Sequence, residues 1–389
     1  MFRRALNSKT LPRRSLSFDI TTYFSEDGPI THLLDETPPK TVEVSKEEGL
    51  RAYQQMDLIR RCELATARLY NEKKIRGLCH LYSGQEAIAV GINSILKPDD
   101  TIITTYRCHS WFLLKTNDLV SFFGELMGYT LGDNRGKGGS MHLYAPNFYG
   151  GNGIVGANVP LGTGLAFQHQ YQNTDKICVT LMGDGSYNNG QVHEAFNIAK
   201  LHNLPIIYVV ENNNFAMGTS VDRHCANPDY YKSCSFIPGL RLNGMNLLTV
   251  KSAVEFAVKH VRSKKGPILL EAKTYRYGGH SVSDPGTSYR KREEVTQVMK
   301  EKDCIKWFGD LLVESKLATA EELKDIKKSN ISRIKADLAK AKAGKPPGTE
   351  ELTHHVYTTY QGTIRMCQAI SAEMPFKEIK RAKIYVCCF

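Results

Sequence analysis

Several common signals are missing from this sequence. Its ten cysteines include no Cys-x-x-Cys pair, which excludes the usual zinc-finger and redox patterns and is typical of a reducing compartment. No stretch approaches the roughly 18 apolar residues of a membrane-spanning helix, so a soluble protein is expected.

The N-terminal segment lacks acidic residues before Asp19. It also lacks the apolar core of a secretory signal, but it is rich in serine and in bases: Arg3, Arg4, Lys9, Arg13 and Arg14. This composition favours a mitochondrial transit peptide, at about residues 1–25, over a basic tail, and predicts a matrix location. These bases and those at 358–389 supply much of the formal charge of +11, so no nucleic-acid-binding function is expected.

The middle of the chain alternates between strand and helix patterns. Short apolar strands are predicted at 176–182, 205–211, 246–251 and 267–274, and amphipathic helices at 189–202 and 252–263. Continuous apolar strands of this kind are typical of a parallel sheet with both faces covered. The predicted fold class is therefore α/β, with a doubly wound, mostly parallel sheet.

Helical additions are predicted on both sides of this region. A capping box at Ser45 and Glu48 begins a helix through about residue 74, and a second at Thr319 and Glu322 lies in a charged helical region. A helix at 83–96, a strand at 101–106 and a helix at 118–129 complete the elements. We expect an α/β domain at 45–290, a C-terminal helical region at 291–357 and an atypical tail at 358–389.

The segment 132–164 is unusually rich in glycine. Glycine destabilises a segment unless the backbone needs a positive φ or must approach another group closely. The segment is predicted to line a ligand, although a flexible surface loop is the alternative.

Polar residues follow two of the predicted strands. Asp184, between two glycines, follows the first, and Asn213 follows the next strand along the chain. Ligands bind beyond the carboxyl ends of parallel strands. A carboxylate, an amide oxygen and a nearby carbonyl resemble an incomplete Mg²⁺ or Ca²⁺ shell, which phosphate oxygens would complete. The alternative is a strand-to-helix turn capped by Asp184, followed by an Asn-rich loop.

The spacing from Gly183-Asp-Gly185 to Asn212-Asn213 resembles the thiamin diphosphate motif of transketolase-like enzymes. More narrowly, residues 45–357 resemble alpha subunits of the decarboxylating component of pyruvate dehydrogenase complexes. The motifs that carry this resemblance are His80-Leu-Tyr-Ser-Gly-Gln-Glu86, Thr105-Tyr-Arg107, Gly138-Gly-Ser-Met-His142, Asn147-Phe-Tyr-Gly-Gly-Asn-Gly-Ile-Val155 and Tyr275-Arg-Tyr-Gly-Gly-His-Ser281.

This resemblance implies a thiamin diphosphate-binding fold and a set of site residues. Mg²⁺ would be held by the Asp184 and Asn213 side chains and the Phe215 carbonyl, and His80 and His280 would be catalytic. The residues implied to bind the cofactor are Tyr106, Arg107, Ala145, Gly153, Val155, Asp184, Gly185, Ser186, Asn213 and His280.

The resemblance also implies partners. A beta subunit would supply a glutamate to the active site in an assembly of two alpha and two beta chains, and a lipoyl acyltransferase core would receive the acyl group. A kinase and a phosphatase would act on Ser281, Ser288 and Ser220.

Two alternatives stay open: an alpha subunit acting on branched-chain 2-oxo acids, and a non-catalytic regulatory paralogue. The second is suggested by Gly278, where the family commonly has histidine, and by the tail.

Overall fold

The computed structural model describes residues 18–21, 29–352, 365–366 and 385–386. The chain divides into two compact units, residues 1–346 and 347–389. Most of the predicted transit peptide lies outside the described residues, and so does most of the predicted tail.

The larger unit is built on a six-stranded sheet. The strands of the larger unit are β1 (Phe18–Thr21), β2 (Ile30–His32), β3 (Thr41–Val44), β4 (Thr101–Ile103), β5 (Cys178–Gly183), β6 (Ile206–Asn212), β7 (Phe215–Ala216), β8 (Thr219–Ser220), β9 (Gly239–Asn243) and β10 (Ile268–Lys273). The sheet has the spatial order β2-β9-β10-β6-β5-β4, in which β2 is antiparallel to its neighbour and the other pairs are parallel. Two small antiparallel pairs, β1 with β3 and β7 with β8, lie outside it.

Helices cover both faces of this sheet. The helices of the larger unit are α1 (Lys46–Asn71), α2 (Glu86–Ile95), α3 (His109–Thr116), α4 (Leu119–Leu126), α5 (Asn158–Tyr171), α6 (Asp184–Tyr187), α7 (Gly190–Leu201), α8 (Val221–His224), α9 (Leu247–Arg262), α10 (Arg292–Lys302), α11 (Cys304–Glu314) and α12 (Ala320–Lys342). Along β6, Ile207 and Val209 belong to one hydrophobic core, whereas Ile206, Tyr208 and Val210 belong to a second. Successive side chains of a strand point to opposite faces, so the sheet is buried on both sides and the predicted fold class is confirmed.

Both predicted capping boxes are present, at the starts of α1 and α12. In the smaller unit, a short 3₁₀ helix spans Thr349–Leu352, and β11 (Arg365–Met366) pairs in parallel with β12 (Tyr385–Val386).

The strand predicted at 246–251 is wrong. The Asn246 side chain accepts hydrogen bonds from the backbone N–H groups of Leu248 and Thr249, at 3.0 and 3.1 Å, and so begins α9. The true strand is β9, which ends before this cap. The apolar run after Asn246 is the buried face of a helix, because an apolar run does not distinguish a buried strand from a buried helix.

Two further expectations differ from the structure. The strand predicted at 101–106 ends at Ile103, and α3, which was not predicted, follows it. The glycine-rich segment 132–164 runs into α5. There, a β-carbon on Gly162 would lie 2.8 Å from Thr180 Cβ, so this glycine permits close packing of α5 on β5.

Candidate functional site

Two strand ends bring the predicted metal-binding residues together. The neighbouring strands β5 and β6 run in parallel with Gly183 opposite Glu211, so Asp184 and Asn213 emerge at one edge of the sheet. Both side chains are buried. The convergence expected from the sequence is therefore present.

A cavity of about 450 Å³ opens at this edge. It is lined by nearly all the residues predicted to bind cofactor or metal or to be catalytic: His80, Tyr106, Arg107, Gly153, Val155, Asp184, Gly185, Ser186, Asn213, Phe215 and His280. Ala145 does not line the cavity; it forms a backbone bridge with Phe148 and packs against the core.

The oxygens proposed to bind the cation already face positive or polarised hydrogens. Arg276 Nη1 lies 3.3 Å from both Asn213 Oδ1 and the Phe215 carbonyl oxygen, and His224 Nε2 lies 3.3 Å from Asp184 Oδ2. Burial raises the pKa of Asp184, and His224 opposes this shift. A carboxylate, an amide oxygen and a carbonyl are the donors that Mg²⁺ prefers.

Two buried guanidinium groups make the cavity wall cationic. Arg107 donates to the carbonyl oxygens of Leu81 and, at 3.0 Å, His280, and Arg276 donates to the Met217 carbonyl oxygen at 3.0 Å. Within the described ranges, neither forms an ion pair with a carboxylate. Burial, with the charge of Arg276, lowers the pKa of Arg107 to about 10. Because a buried charge is costly without a counter-charge, this wall is suited to an anionic ligand.

Three rings cluster on the same wall. The His80 ring centroid lies 4.3 Å from that of Tyr106 and 5.0 Å from that of His280. Burial and the charge of Arg107 lower the pKa of His80 to about 2 and that of His280 to about 4. The low pKa values mean that both imidazoles are neutral near pH 7 in the ligand-free protein. The Nδ1 atom of each is buried, with no hydrogen-bond partner among the described residues.

A buried acid was missed by the sequence analysis. Glu211, the residue before Asn212, lines the cavity and accepts a short hydrogen bond from the Tyr82 hydroxyl. Burial raises the pKa of Glu211 to about 7. In the sequence, Glu211 is the polar residue that ends an apolar run, and this position alone indicates only the end of a strand.

The two glycines that flank Asp184 have different roles. A β-carbon on Gly185 would collide with Ala216 in β7, whereas one on Gly183 would meet no described atom within 4 Å. Gly185 therefore allows α6 to approach the strand that follows Asn213, while the space beside Gly183 is open.

Part of the glycine-rich segment is held by the carboxylate of a residue that precedes it in the chain, Glu125. The carboxylate of Glu125, buried in α4, accepts backbone hydrogen bonds from Asn134, Gly136, Gly138 and Gly139 at 2.6–3.3 Å. These bonds fold the segment that leads to Met141, a residue of the cavity lining. Glu125 does not line the cavity itself, and the sequence analysis gave it no role.

The loop after His280 is folded by Asp284. Its carboxylate accepts hydrogen bonds from the His280 backbone N–H and the Tyr289 hydroxyl, both at 2.6 Å. Ser281 is buried beside the cavity, Ser288 is exposed on this loop, and Ser220 is half-buried at the end of β8. None of the three serines is among the residues that line the cavity.

Comparison with known proteins gives consistent relatives. The family model described as the dehydrogenase E1 component matches residues 54–350. The pyruvate dehydrogenase E1 component subunit alpha type II of Ascaris suum, a mitochondrial protein, is 45% identical over 357 residues, which are 90% of this chain and 91% of the relative. The somatic form of Rattus norvegicus and the testis-specific form of Homo sapiens, both named as mitochondrial E1 alpha subunits, are each 49% identical over 328 residues, 84% of both chains. The resemblance and the mitochondrial location predicted from the sequence are confirmed.

Proposed function

Because this chain belongs to the dehydrogenase E1 component family, we propose that it is the alpha subunit of a mitochondrial pyruvate dehydrogenase. This enzyme decarboxylates pyruvate oxidatively and transfers the acetyl group to a lipoyl carrier. One observation carries the proposal: the oxygens suited to Mg²⁺ and the guanidinium groups suited to a diphosphate face one cavity.

The donor set fits a magnesium ion held with thiamin diphosphate. Asp184, Asn213 and the Phe215 carbonyl would supply three oxygens. Over the ranges that the structure describes, no group of three His, Cys, Asp or Glu residues could hold a metal alone. Mg²⁺ readily takes the rest of its shell from phosphate oxygens and water, so an incomplete protein shell favours a phosphorylated cofactor.

The cationic wall would bind and orient the diphosphate. Arg107 can give a phosphate two parallel charged hydrogen bonds, and His280 lies beside it. An anion next to His280 favours the imidazolium form, so the bound cofactor would raise the pKa of His280. His280 could then hold a proton at the ligand, while His80, which is more deeply buried, would remain a neutral hydrogen-bonding group.

Bound thiamin diphosphate would supply the nucleophilic carbon and accept the electron pair left by carbon dioxide. The protein's residues would position the substrate and limit water. His80 and Tyr106, in ring contact, form the wall nearest His280. This arrangement supports roles for His80 and His280 in binding the 2-oxo acid and in proton transfer.

A beta subunit completes this proposal. It would add the glutamate that activates the cofactor, in an assembly of two alpha and two beta chains that delivers acetyl groups to a lipoyl acyltransferase core. Among the described residues, the helices lack the combination of length and apolar character that a membrane span requires.

A kinase and a phosphatase would regulate the loop after His280. Phosphate on Ser281 would place about two negative charges next to His280 and the Asp284 carboxylate. It would repel the diphosphate and open the loop, and Ser288 and Ser220 are further candidates. Ser281→Glu should weaken cofactor binding, measured by quenching of intrinsic fluorescence, more than Thr287→Glu, an exposed control on the same loop. Equal effects would contradict regulation through Ser281.

The functional test is carbon dioxide release by this chain, without residues 1–25, assembled with a beta subunit and supplied with thiamin diphosphate and Mg²⁺. We expect turnover that requires the beta subunit, prefers pyruvate to branched 2-oxo acids and is lost in Asp184→Ala. Preference for branched substrates would identify the other subunit class, and assembly without turnover would identify a non-catalytic paralogue.

A further inference from the structure

We propose that Gln85 is a positioning residue of the metal site, because it fixes the orientation of the Asn213 amide so that the oxygen faces the cation. The inference rests on the proposed function, in which Asn213 is a ligand of Mg²⁺. Asn213 has one oxygen and one NH₂ group on a planar amide, so a flipped amide would turn a donor toward the cation.

The direction of the amide follows from its neighbours. Arg276 has donors and no acceptor, so the Asn213 atom that lies 3.3 Å from Arg276 Nη1 must be Oδ1. The other atom, Nδ2, then faces Gln85 and donates to Gln85 Oε1 at 3.1 Å. Since Nδ2 needs an acceptor, Gln85 must present its oxygen.

Gln85 is restrained by burial, by its backbone and by its bond to Asn213, and its Nε2 atom has no hydrogen-bond partner among the described residues. Its side chain is fully buried, and its backbone lies at the start of α2, where its N–H donates to the Tyr82 carbonyl at 3.1 Å. The next residue, Glu86, is buried and accepts from Arg60 Nη2 at 2.8 Å. With Gln85 in its observed orientation, a flip of the Asn213 amide would set its NH₂ group against the Arg276 guanidinium and bring its oxygen against Gln85 Oε1.

Arg276 and Gln85 differ in what happens when a cation binds. Arg276 shares Asn213 Oδ1 and the Phe215 carbonyl, the same oxygens that the cation would use, so the cation weakens its hold on the amide. Gln85 contacts the far side of the amide and can keep its bond throughout. Its effect should therefore persist in the metal-bound protein.

The test measures Mn²⁺ binding by electron paramagnetic resonance on the full chain assembled with its beta subunit, with thiamin diphosphate present. Gln85→Met has a similar volume but no comparable acceptor, and we expect it to raise the Kd for Mn²⁺ by about 10- to 100-fold, as loss of a ligand's outer partner does. Gln85→Glu keeps an acceptor and should bind Mn²⁺ within about threefold of the unmodified protein. If Gln85→Met does not fold, Gln85→Ala replaces it.

Repeating the Gln85 substitution in an Asn213→Asp background distinguishes an effect on the orientation of side chain 213 from a general effect on the fold. A carboxylate presents an oxygen in either orientation, so Gln85→Met should cost little further affinity there. An equal loss in both backgrounds would mean that Gln85 only supports the fold, and would overturn the proposal.

Asp184→Ala distinguishes the two levels of inference. If that variant leaves Mn²⁺ binding unchanged, the proposed metal site itself fails. If it abolishes binding but Gln85→Met does not weaken it, the metal site stands and the role of Gln85 is wrong.

Discussion

Replacement of Gly185 by alanine tests the geometry of the site without any ligand. A β-carbon at this position would collide with Ala216 Cβ and lie 3.2 Å from Ala216 Cα. Carbon atoms in contact are about 3.5–4.0 Å apart, so α6 or β7 must move. Overpacking of this kind costs about 1–3 kcal/mol, and we expect the free energy of unfolding to fall by that amount.

The matched control is Gly183→Ala, on the other side of Asp184. A β-carbon on Gly183 meets no described atom within 4 Å, and its backbone angles, φ −83° and ψ 163°, suit alanine. This variant should be more stable by about 0.4–1 kcal/mol, because alanine restricts the unfolded chain. The two glycines flank Asp184 symmetrically in the sequence, yet the structure predicts changes of opposite sign in the free energy of unfolding.

Thermal unfolding of the cofactor-free protein, followed by circular dichroism, ranks these variants. Adding Ala216→Gly to Gly185→Ala removes the nearest colliding atom and should recover most of the loss. If Gly185→Ala unfolds at the same temperature as Gly183→Ala, the close approach of α6 to β7 does not exist.

Three further predictions concern the cavity and the segments near it in the chain. Glu125→Gln keeps only one of the two oxygens that accept backbone hydrogen bonds. It should therefore lower the free energy of unfolding by about 3 kcal/mol and speed amide hydrogen exchange at 134–139. Unchanged exchange would contradict the anchoring role of Glu125. The pKa of His80 is lowered to about 2 in the folded protein. Below pH 6.5, His80 is therefore protonated in the unfolded chain but neutral in the folded protein, so the free energy of unfolding falls as the pH decreases. Between pH 6.5 and 4.5, the free energy of unfolding of the cofactor-free protein should fall by up to about 1.4 kcal/mol per pH unit because of His80. If the stability of His80→Gln falls as steeply over the same range in thermal melts, the prediction is wrong. Gly278→Ala adds a β-carbon that meets no described atom within 4 Å, so the melting temperature should not fall. A large drop would show that the space beside Gly278 is filled.

The sequence predicted correctly that two strand ends converge, because the signals are local to each strand end. Gly-Asp-Gly after β5 and Asn-Asn after β6 could be placed together because parallel strands end at the same edge of a sheet. The strand predicted at 246–251 failed because the apolar run of α9 has no alternation that distinguishes it from a strand, although Asn246 was a readable helix cap.

The partners of the predicted residues could not be found in the same way. Gln85 and Asn213 are 128 positions apart, and Arg276 reaches Asn213 across 63. Nothing in the spacing of one sequence links such pairs, so their roles appear only when the fold brings them together. Glu125 has the same property, since its partners are backbone groups that carry no side-chain signal.

The Glu125 anchor matters to anyone who wishes to move this proposed cofactor site to another scaffold. A transplant that copied every residue lining the cavity would omit this carboxylate and leave the backbone N–H groups of 134–139 without their acceptor. The glycines would then be free to adopt many conformations. This conformational freedom would be lost when a ligand bound, and the loss of entropy would weaken binding. The minimal portable unit therefore includes α4, a helix that does not supply any of the residues lining the cavity.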